Sequence, residues 1–392
     1  MKLGLLLPNQ GVVFGATTVP ELLELAEIAE GSGVFDSLWV GDNLLAKPRL
    51  ESVTLLSALA VRTRRCLLGT ACMASFPLRH PVVLAAQWGA LDCLAEGRTI
   101  LTACLGGGGA KGNIAGAFDS EYAAMGIDPK ERVARMEEGI QVLRVLWTQD
   151  PASFKGRFFS FEGIAVRPRP VQACPPVWIA NNPWVFSDSR PGTINKQSDR
   201  VARLADGWMT VGAKPEEFRS TWAEIKAGAR AHGRDPAKLG NALYFSLNIN
   251  EDRAAAYKES KRFLDEYYNS DWPEWKVNVW TGYGAPQECI ARLKEFEAAG
   301  VENMIVRLSA YDQKAQLQRF IREVAPPSSE RKRHAQRCQC ASSGTSCAGY
   351  LPMACMNSRS AAGSAADHLS SSPGSGSTWP NSTICRAGKS PT

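Results

Sequence analysis

The chain has 392 residues and a formal net charge of +6, from 45 Lys and Arg against 39 Asp and Glu. Most of that charge lies beyond residue 327, where seven basic residues accompany two acidic ones, so the rest of the chain is nearly neutral. A neutral body argues against nucleic acid as the main partner. No apolar run reaches the roughly 18 residues of a membrane span, and the apolar start is too short for a signal peptide. A cytoplasmic location is the resulting expectation.

The few histidines and the scattered cysteines do not suggest a metal centre. The sequence has four histidines, two of them beyond residue 327, and its cysteines never occur with CxxC spacing. A zinc-dependent barrel hydrolase needs a cluster of histidine ligands. We therefore predict no metal site and disfavour that class of enzyme.

From the amino terminus onward, short apolar segments alternate with stretches of helical periodicity. Thr18 and Glu21 form a capping box around Pro20 and predict the start of the first helix. The apolar segments predicted to be strands are residues 2–7, 37–40, 66–72, 99–105, 176–180, 207–211, 243–249 and 303–308. Strands that are apolar on both faces are typical of a parallel sheet covered by helices.

Eight strand and helix units in about 325 residues predict an α/β fold, a closed (β/α)8 TIM barrel with loop insertions, over residues 1–327. A doubly wound open sheet is the alternative. The turn after the first strand, residues 8–12, lacks the GxGxxG pattern usual in that fold. The Ser-, Ala- and Gly-rich segment 328–392 has no periodic apolar face, so we predict a disordered tail there.

Several segments resemble the luciferase-like monooxygenase superfamily, which includes flavin- and deazaflavin-dependent enzymes. Leu91-Asp92, followed by Gly97-Arg98, resembles the family's LDxLSxGR helix end. The other similar segments are residues 37–43, 68–81, 132–147, 175–180 and 205–208, and they keep the family's order. The resemblance implies a barrel that holds a flavin-type ring over the carboxyl ends of its first four strands.

The ring of such a coenzyme needs apolar support below it and polar partners at its rim. The resemblance makes Asn9, Thr70, Ala71 and Ala103 the candidates for contact with the ring, at or near the ends of strands one, three and four. Relatives often have a non-proline cis peptide bond behind the ring. The resemblance places that bond between residues 73 and 76 here.

The coenzyme's phosphate needs backbone N–H donors, preferably at a helix start. The candidates are Gly106, in a run of four glycines, and Asn181 and Asn182 after the fifth strand. Many relatives carry two glycines in place of the two asparagines. Asparagine tolerates left-handed backbone, so an anion-binding turn remains compatible with this sequence.

Asp42 and His80 are the candidates for acid–base chemistry. Each has a structural alternative, because Asp42 can brace the turn after the second strand and His80 stands just before a helix. Related deazaflavin reductases usually have a histidine after this aspartate, whereas this chain has Asn43, which exchanges no proton near neutral pH.

The resemblance and Asn43 together favour an FMN-dependent monooxygenase that uses reduced FMN, molecular oxygen and a separate flavin reductase. The alternatives are a reductase or dehydrogenase that uses a 5-deazaflavin coenzyme and a non-catalytic flavin-binding barrel. Aromatic residues such as Trp272 and Trp280 suggest an apolar organic substrate.

The resemblance also implies a homodimer. The residues that would form its interface, or would instead pack on the barrel, are Leu55, Leu56, Leu84 and Trp88.

Overall fold

The structure, a computed structural model, describes residues 1–107, 115–182 and 196–325. Its strands are β1 Lys2–Leu7, β2 Ser37–Asp42, β3 Leu67–Met73, β4 Thr99–Ala103, β5 Ala152–Lys155, β6 Ser160–Ile164, β7 Val177–Ala180, β8 Gly207–Val211, β9 Gly240–Ile249, β10 Thr281–Gly284 and β11 Asn303–Leu308. Its helices are α1 Val19–Ser32, α2 Ser52–Arg62, α3 Pro81–Leu94, α4 Ala115–Ala124, α5 Arg132–Thr148, α6 Lys196–Leu204, α7 Pro215–Ala231, α8 Arg253–Tyr268, α9 Glu274–Trp280, α10 Pro286–Ala298 and α11 Gln313–Arg319. The predicted tail 328–392 lies outside the described residues.

Eight of the strands close into a parallel barrel. Around the barrel the order is β11, β1, β2, β3, β4, β7, β8 and β9, and β9 pairs with both β8 and β11. These are the eight strands predicted from the apolar segments. The (β/α)8 TIM barrel is therefore confirmed, and the doubly wound alternative is wrong because an open sheet would have two free edges.

The strands carry two apolar layers because their side chains alternate between the barrel interior and the helices. Leu5, Leu38 and Leu68 belong to the large cluster packed between strands and helices. A second, smaller cluster fills the interior and includes Trp39 and Trp178. The barrel is thus a packed core, and space for a ligand is expected beyond the ends of its strands.

The two interior indole rings fit because glycines stand next to them. The centroids of the Trp39 and Trp178 rings are 6.2 Å apart. A Cβ atom at Gly69 would overlap the Trp39 ring, and one at Gly207 would overlap the Trp178 ring. Trp39 also donates from Nε1 to the Ser37 hydroxyl at 2.8 Å, which satisfies its polar atom inside the core.

The helix starts follow the sequence signals. Thr18 and Glu21 form the predicted capping box at the start of α1, which ends at a left-handed Gly33. Asp128 caps a single 3-10 turn that leads into α5. These local signals set the direction in which each helix leaves the barrel.

Two insertions interrupt the strand–helix alternation. β5 and β6 form an antiparallel hairpin before β7, as the alternating aromatic residues of that segment suggest. Helices α8 and α9 lie between β9 and the short strand β10, which pairs with the second half of β9. Because this second insertion follows the carboxyl end of a barrel strand, it lies at the face where barrel enzymes have their active sites.

The third strand contains the irregularity that the resemblance implies, at a different bond. The non-proline cis peptide joins Ala71 and Cys72, ahead of the predicted residues 73–76. The register of β3 shifts at this point, against β2 and against β4. The bulge therefore lies within the strand and not in the loop after it.

The residues proposed for a dimer interface are buried within the chain itself. Leu55, Leu56, Leu84 and Trp88 are each at most 2% exposed and belong to the helix-facing core. They pack on the barrel, so the interface assigned to them is wrong, whereas the homodimer itself stays a prediction.

Among the helices of the described ranges, none combines the length and apolarity needed to cross a membrane.

The glycine beside Trp39 provides a test of the packing. Gly69→Ala should lower the free energy of unfolding by about 1–3 kcal/mol, because the new methyl group overlaps the indole ring. The matched control is Gly31→Ala in α1, where a Cβ meets nothing within 4 Å. That change should stabilise the protein by up to about 1 kcal/mol. Urea unfolding followed by circular dichroism measures both, and equal effects would contradict the proposed packing.

Candidate functional site

Asn9, a predicted ring contact, lies at the end of β1 and is fully buried. Its Nδ2 donates to the backbone oxygens of Gly41 and Leu50 at 2.8 and 2.9 Å, and its Oδ1 accepts from the Gly41 N–H at 3.1 Å. The amide therefore ties the end of β1 to the end of β2. Its contact with a coenzyme stays a prediction.

Asp42, at the end of β2, has a buried and heavily hydrogen-bonded carboxylate. It accepts from the Ser52 hydroxyl at 2.6 Å, and from the Ser75 hydroxyl and N–H at 2.6 and 2.8 Å. Arg79 adds an ion pair at 3.0 Å, and its guanidinium also pairs with Glu51. These contacts join β2 to the segments that start α2 and α3, which favours the bracing alternative over acid–base chemistry.

His80 lies at the amino terminus of α3 with an exposed side chain. Its Nδ1 accepts from the Val82 N–H at 3.3 Å, so the imidazole caps the helix. The imidazole and the ring of Phe159, in the hairpin segment, form an edge-to-face pair with centroids 5.4 Å apart. These contacts correspond to the structural role considered from the sequence, and a catalytic role stays a prediction.

The ring candidates on β3 and β4 face different ways. Thr70 is locked to β4, because its hydroxyl donates to the Thr102 carbonyl and accepts from the Thr102 N–H. Ala71 belongs to the interior cluster. Ala103 packs in the helix-facing cluster, so its side chain points away from the interior. Of the three, Ala71 is placed best for contact with a ring.

The phosphate candidates border residues that are outside the described ranges. Gly106 has a left-handed φ of 67°, and a Cβ there would lie 2.7 Å from the Ala74 carbonyl oxygen, so the position requires glycine. Asn181 accepts from Trp208 Nε1 at 3.0 Å, and Asn182 accepts from the Thr210 hydroxyl at 2.9 Å. Both asparagine side chains thus brace the ends of β7 and β8. The neighbouring residues 108–114 and 183–195 are not described.

The most unusual side chain at the carboxyl face is Arg307 on β11, which is fully buried. Its Nε and Nη2 donate to the Ser246 hydroxyl at 3.2 and 2.9 Å. Its guanidinium lies 4.4 Å from the centroid of Tyr267 and 4.9 Å from that of Tyr244. Nη1 has no hydrogen-bond partner among the described residues.

Three further cations lie among the same group of aromatic side chains, and the charges of Arg49, Lys276 and Arg307 all act on Lys47. Lys47 Nζ lies 4.7 Å from the centroid of Tyr268, and Lys276 Nζ lies 3.8 Å from that of Trp272. Arg49 donates to the Tyr267 hydroxyl at 3.2 Å and to Gln10 Oε1 at 2.8 Å. We call Lys47, Arg49, Lys276 and Arg307 the cationic cluster.

Tyr267 of α8 connects this cluster to the ends of β1 and β2. A Cβ at Gly41 would lie 3.3 Å from the Tyr267 hydroxyl and 3.2 Å from Asn9 Oδ1. The inserted helix α8 thus places a phenol beside the strand ends. The site therefore combines the strand ends with side chains of an insertion that follows β9.

The electrostatics of the site shift several pKa values, of which two bear on its chemistry. Burial, together with the charges of Arg49, Lys276 and Arg307, lowers the pKa of Lys47 to about 8. For Tyr267, burial raises the pKa, but the charges of Arg49 and Arg307 outweigh burial and lower it overall. Perturbed pKa values of this kind cluster at functional sites.

Sequence reasoning missed the cationic cluster. The available signal is Arg307, the one charged residue of the strand Asn303–Leu308, whose other buried residues are apolar. A charged side chain in such a strand is seldom buried unless it is paired or takes part in function.

The surroundings of Trp272 and Trp280, taken as signs of an apolar substrate, are more polar than that expectation requires. The centroids of their rings lie 3.8 and 5.8 Å from the Lys276 ammonium.

The mouth of the barrel also has apolar surface suited to a flat ring. Cys72, Ala180 and Val211, at or near the carboxyl ends of β3, β7 and β8, are partly buried and pack against the interior cluster. Together with Ala71, they provide the kind of apolar support that an isoalloxazine or deazaflavin ring requires. The residues at this face therefore fit such a group.

A closed parallel barrel with an apolar interior defines the chain as a TIM barrel, and its polar groups lie at the carboxyl face, where enzymes of this fold have their active sites. A family model described as luciferase-like monooxygenase matches residues 1–303, and the chain belongs to this family of oxidoreductases.

Relatives and solved structures show the same likeness. An F420-dependent glucose-6-phosphate dehydrogenase of Rhodococcus hoagii is 26% identical over 334 residues, covering 78% of this chain and 93% of that protein. An F420-dependent secondary alcohol dehydrogenase has a TM-score of 0.66 at 20% identity, covering 82% of this chain and 97% of that one. A monooxygenase from Streptomyces bottropensis also has a TM-score of 0.66, at 21% identity, with coverage of 83% and 98%. These two structures share the fold.

Asp42→Asn should separate the bracing role from acid–base chemistry. Because the carboxylate is buried with Arg79, the change should lower the free energy of unfolding by about 3 kcal/mol. The control is Glu27→Gln, which removes an exposed pair with Arg62 worth less than about 1 kcal/mol. Chemical denaturation provides the comparison. Unchanged stability with lost turnover would instead assign Asp42 to proton transfer.

Proposed function

We propose that the protein is an oxidoreductase that depends on a deazaflavin coenzyme such as F420. It would transfer a hydride between this coenzyme and a carbon atom of a small organic substrate. The observation that carries the proposal is the alignment with the F420-dependent glucose-6-phosphate dehydrogenase over 93% of that protein's length. The sequence analysis ranked FMN and oxygen first and the deazaflavin second. The names of the relatives favour the deazaflavin, which is why it is proposed first.

The apolar surface of Ala71, Cys72, Ala180 and Val211 supports a flat ring at the barrel mouth. When bound, a deazaflavin coenzyme supplies hydride-transfer chemistry. The residues of the chain must then hold the substrate's carbon against the ring and exchange a proton with its oxygen.

Tyr267 is the proton-exchanging group in this proposal. When an alcohol is oxidised, its hydroxyl proton must pass to a base of the protein, while a bound deazaflavin would supply the hydride chemistry. The neighbouring charges of Arg49 and Arg307 favour the phenolate and lower the pKa of Tyr267. Asp42 suits this task less, because four hydrogen-bond donors already engage its carboxylate.

An FMN monooxygenase with a separate flavin reductase is the second candidate. The observation in its favour is Asn43, which occupies the position of the usual histidine and whose Oδ1 accepts from the Lys47 N–H at 2.6 Å. An amide held in that way supplies no proton.

Titration of the purified chain with the deazaflavin coenzyme and with FMN distinguishes the two candidates. We expect the deazaflavin to bind at least ten times more tightly, because its relatives use it, with quenching of protein fluorescence as the measurement. A preference for FMN, with a long-lived oxygen adduct when reduced FMN meets oxygen, would reject the proposal in favour of the monooxygenase. Binding of neither coenzyme would favour the non-catalytic barrel.

Tyr267→Phe tests the proton role without removing the ring. With glucose 6-phosphate and simple secondary alcohols as trial substrates, kcat should fall about 100-fold or more, while coenzyme affinity stays unchanged. The matched control is Tyr311→Phe, since the Tyr311 hydroxyl donates to the exposed Glu266 carboxylate at 2.6 Å. Loss of the coenzyme's visible absorbance reports the rate. A kcat equal to that of the control would rule out Tyr267 as the base.

A further inference from the structure

The cationic cluster has no acidic partner among the described residues. Most buried or half-buried arginines elsewhere in the described chain are neutralised, as Arg79 is by Asp42 and Glu51 and Arg200 is by Glu137. By contrast, the partners of Lys47, Arg49, Lys276 and Arg307 are aromatic faces, hydroxyls, an amide and a backbone carbonyl. Within the described ranges, these four positive charges therefore have no carboxylate partner.

Such an arrangement of unpaired charges carries a cost in free energy. A charge removed from water is costly unless it is paired, and like charges repel. Burial and the three neighbouring cations together lower the pKa of Lys47, which is the expected sign of that stress. Among the described residues, Nη1 of Arg307 also has no hydrogen-bond partner, which adds an unsatisfied polar atom at the same place.

We propose that the cationic cluster binds the anionic group, a phosphate or a carboxylate, of a ligand that enters the barrel mouth. The inference rests on the proposed function for its location and deepens it by naming a charge on the ligand. That group belongs either to the substrate or to the coenzyme, and the experiment below distinguishes the two.

The half-buried and the fully buried cations of the cluster contribute to anion binding in different ways. Lys47, Arg49 and Lys276 are half-buried, so their ammonium and guanidinium groups make the direct contacts with the anion. Arg307 lies fully buried beneath the tyrosines and contributes a fixed positive charge from below. The faces of Tyr268 and Trp272 hold the two lysine ammonium groups in place.

Sulfate is a suitable probe because its charge does not change near neutral pH. Titrated into the chain without coenzyme, at constant ionic strength set with chloride, it should bind saturably in isothermal calorimetry. In the double variant Lys47→Met/Lys276→Met the affinity should fall at least tenfold. The variant's melting temperature without sulfate should stay equal or rise, because repulsion is relieved, and this confirms folding.

Lys226→Met is the matched control, since Lys226 lies 5.7 Å from the Trp222 ring centroid, outside the cluster. It should bind sulfate as the unmodified chain does. Absence of saturable sulfate binding, or equal affinity in the double variant, overturns the proposal.

The deazaflavin coenzyme then identifies the source of the anion. If sulfate weakens coenzyme binding competitively, the cluster holds an anionic group of the coenzyme. If both bind independently, the cluster holds the substrate's anionic group, and either result supports an anion site. Sulfate binding without any coenzyme binding would reject the proposed function and leave the anion site standing.

Discussion

The organisation of the molecule depends on two indole rings inside the barrel. Trp39 and Trp178 occupy the interior because glycines on neighbouring strands leave room for them. Because side chains fill the interior, a ligand can bind only beyond the carboxyl ends of the strands. Ala71, Cys72 and Tyr244 belong to the interior cluster or pack against it. The barrel therefore forms the base of the site, and the residues that surround a ligand must come from loops and insertions.

Many of these surrounding residues belong to the segment between β9 and β10. Helix α8 places Tyr267 beside Asn9 and Gly41, so an insertion late in the sequence completes a site that begins with the first two strands. Its aromatic rings also shield Arg307, whose charge would otherwise need a carboxylate or water. The same rings that bury the arginine also shift the proton affinities around it, which couples the packing of the insertion to the chemistry of the site.

The sequence was sufficient for the fold because the barrel strands are apolar on both faces and the helices have local caps such as Thr18 and Glu21. It was also sufficient to single out Asp42, but not its role, since Ser52, Ser75 and Arg79 reach it from separate segments. The cationic cluster was missed for the same reason. Lys47, Lys276 and Arg307 are more than 200 residues apart at their extremes, and only the closed barrel brings them together.

The free-energy cost of the cationic cluster and its proposed anion binding are related. A cluster of cations without carboxylate partners costs free energy of folding, and costly features of this kind persist where they serve function. A ligand that supplies negative charge would recover that free energy on binding, so the protein's own strain contributes to affinity. The site should therefore select its ligand by negative charge as well as by shape. A neutral analogue of the ligand would leave the repulsion among Lys47, Arg49 and Lys276 in place and would bind more weakly for that reason.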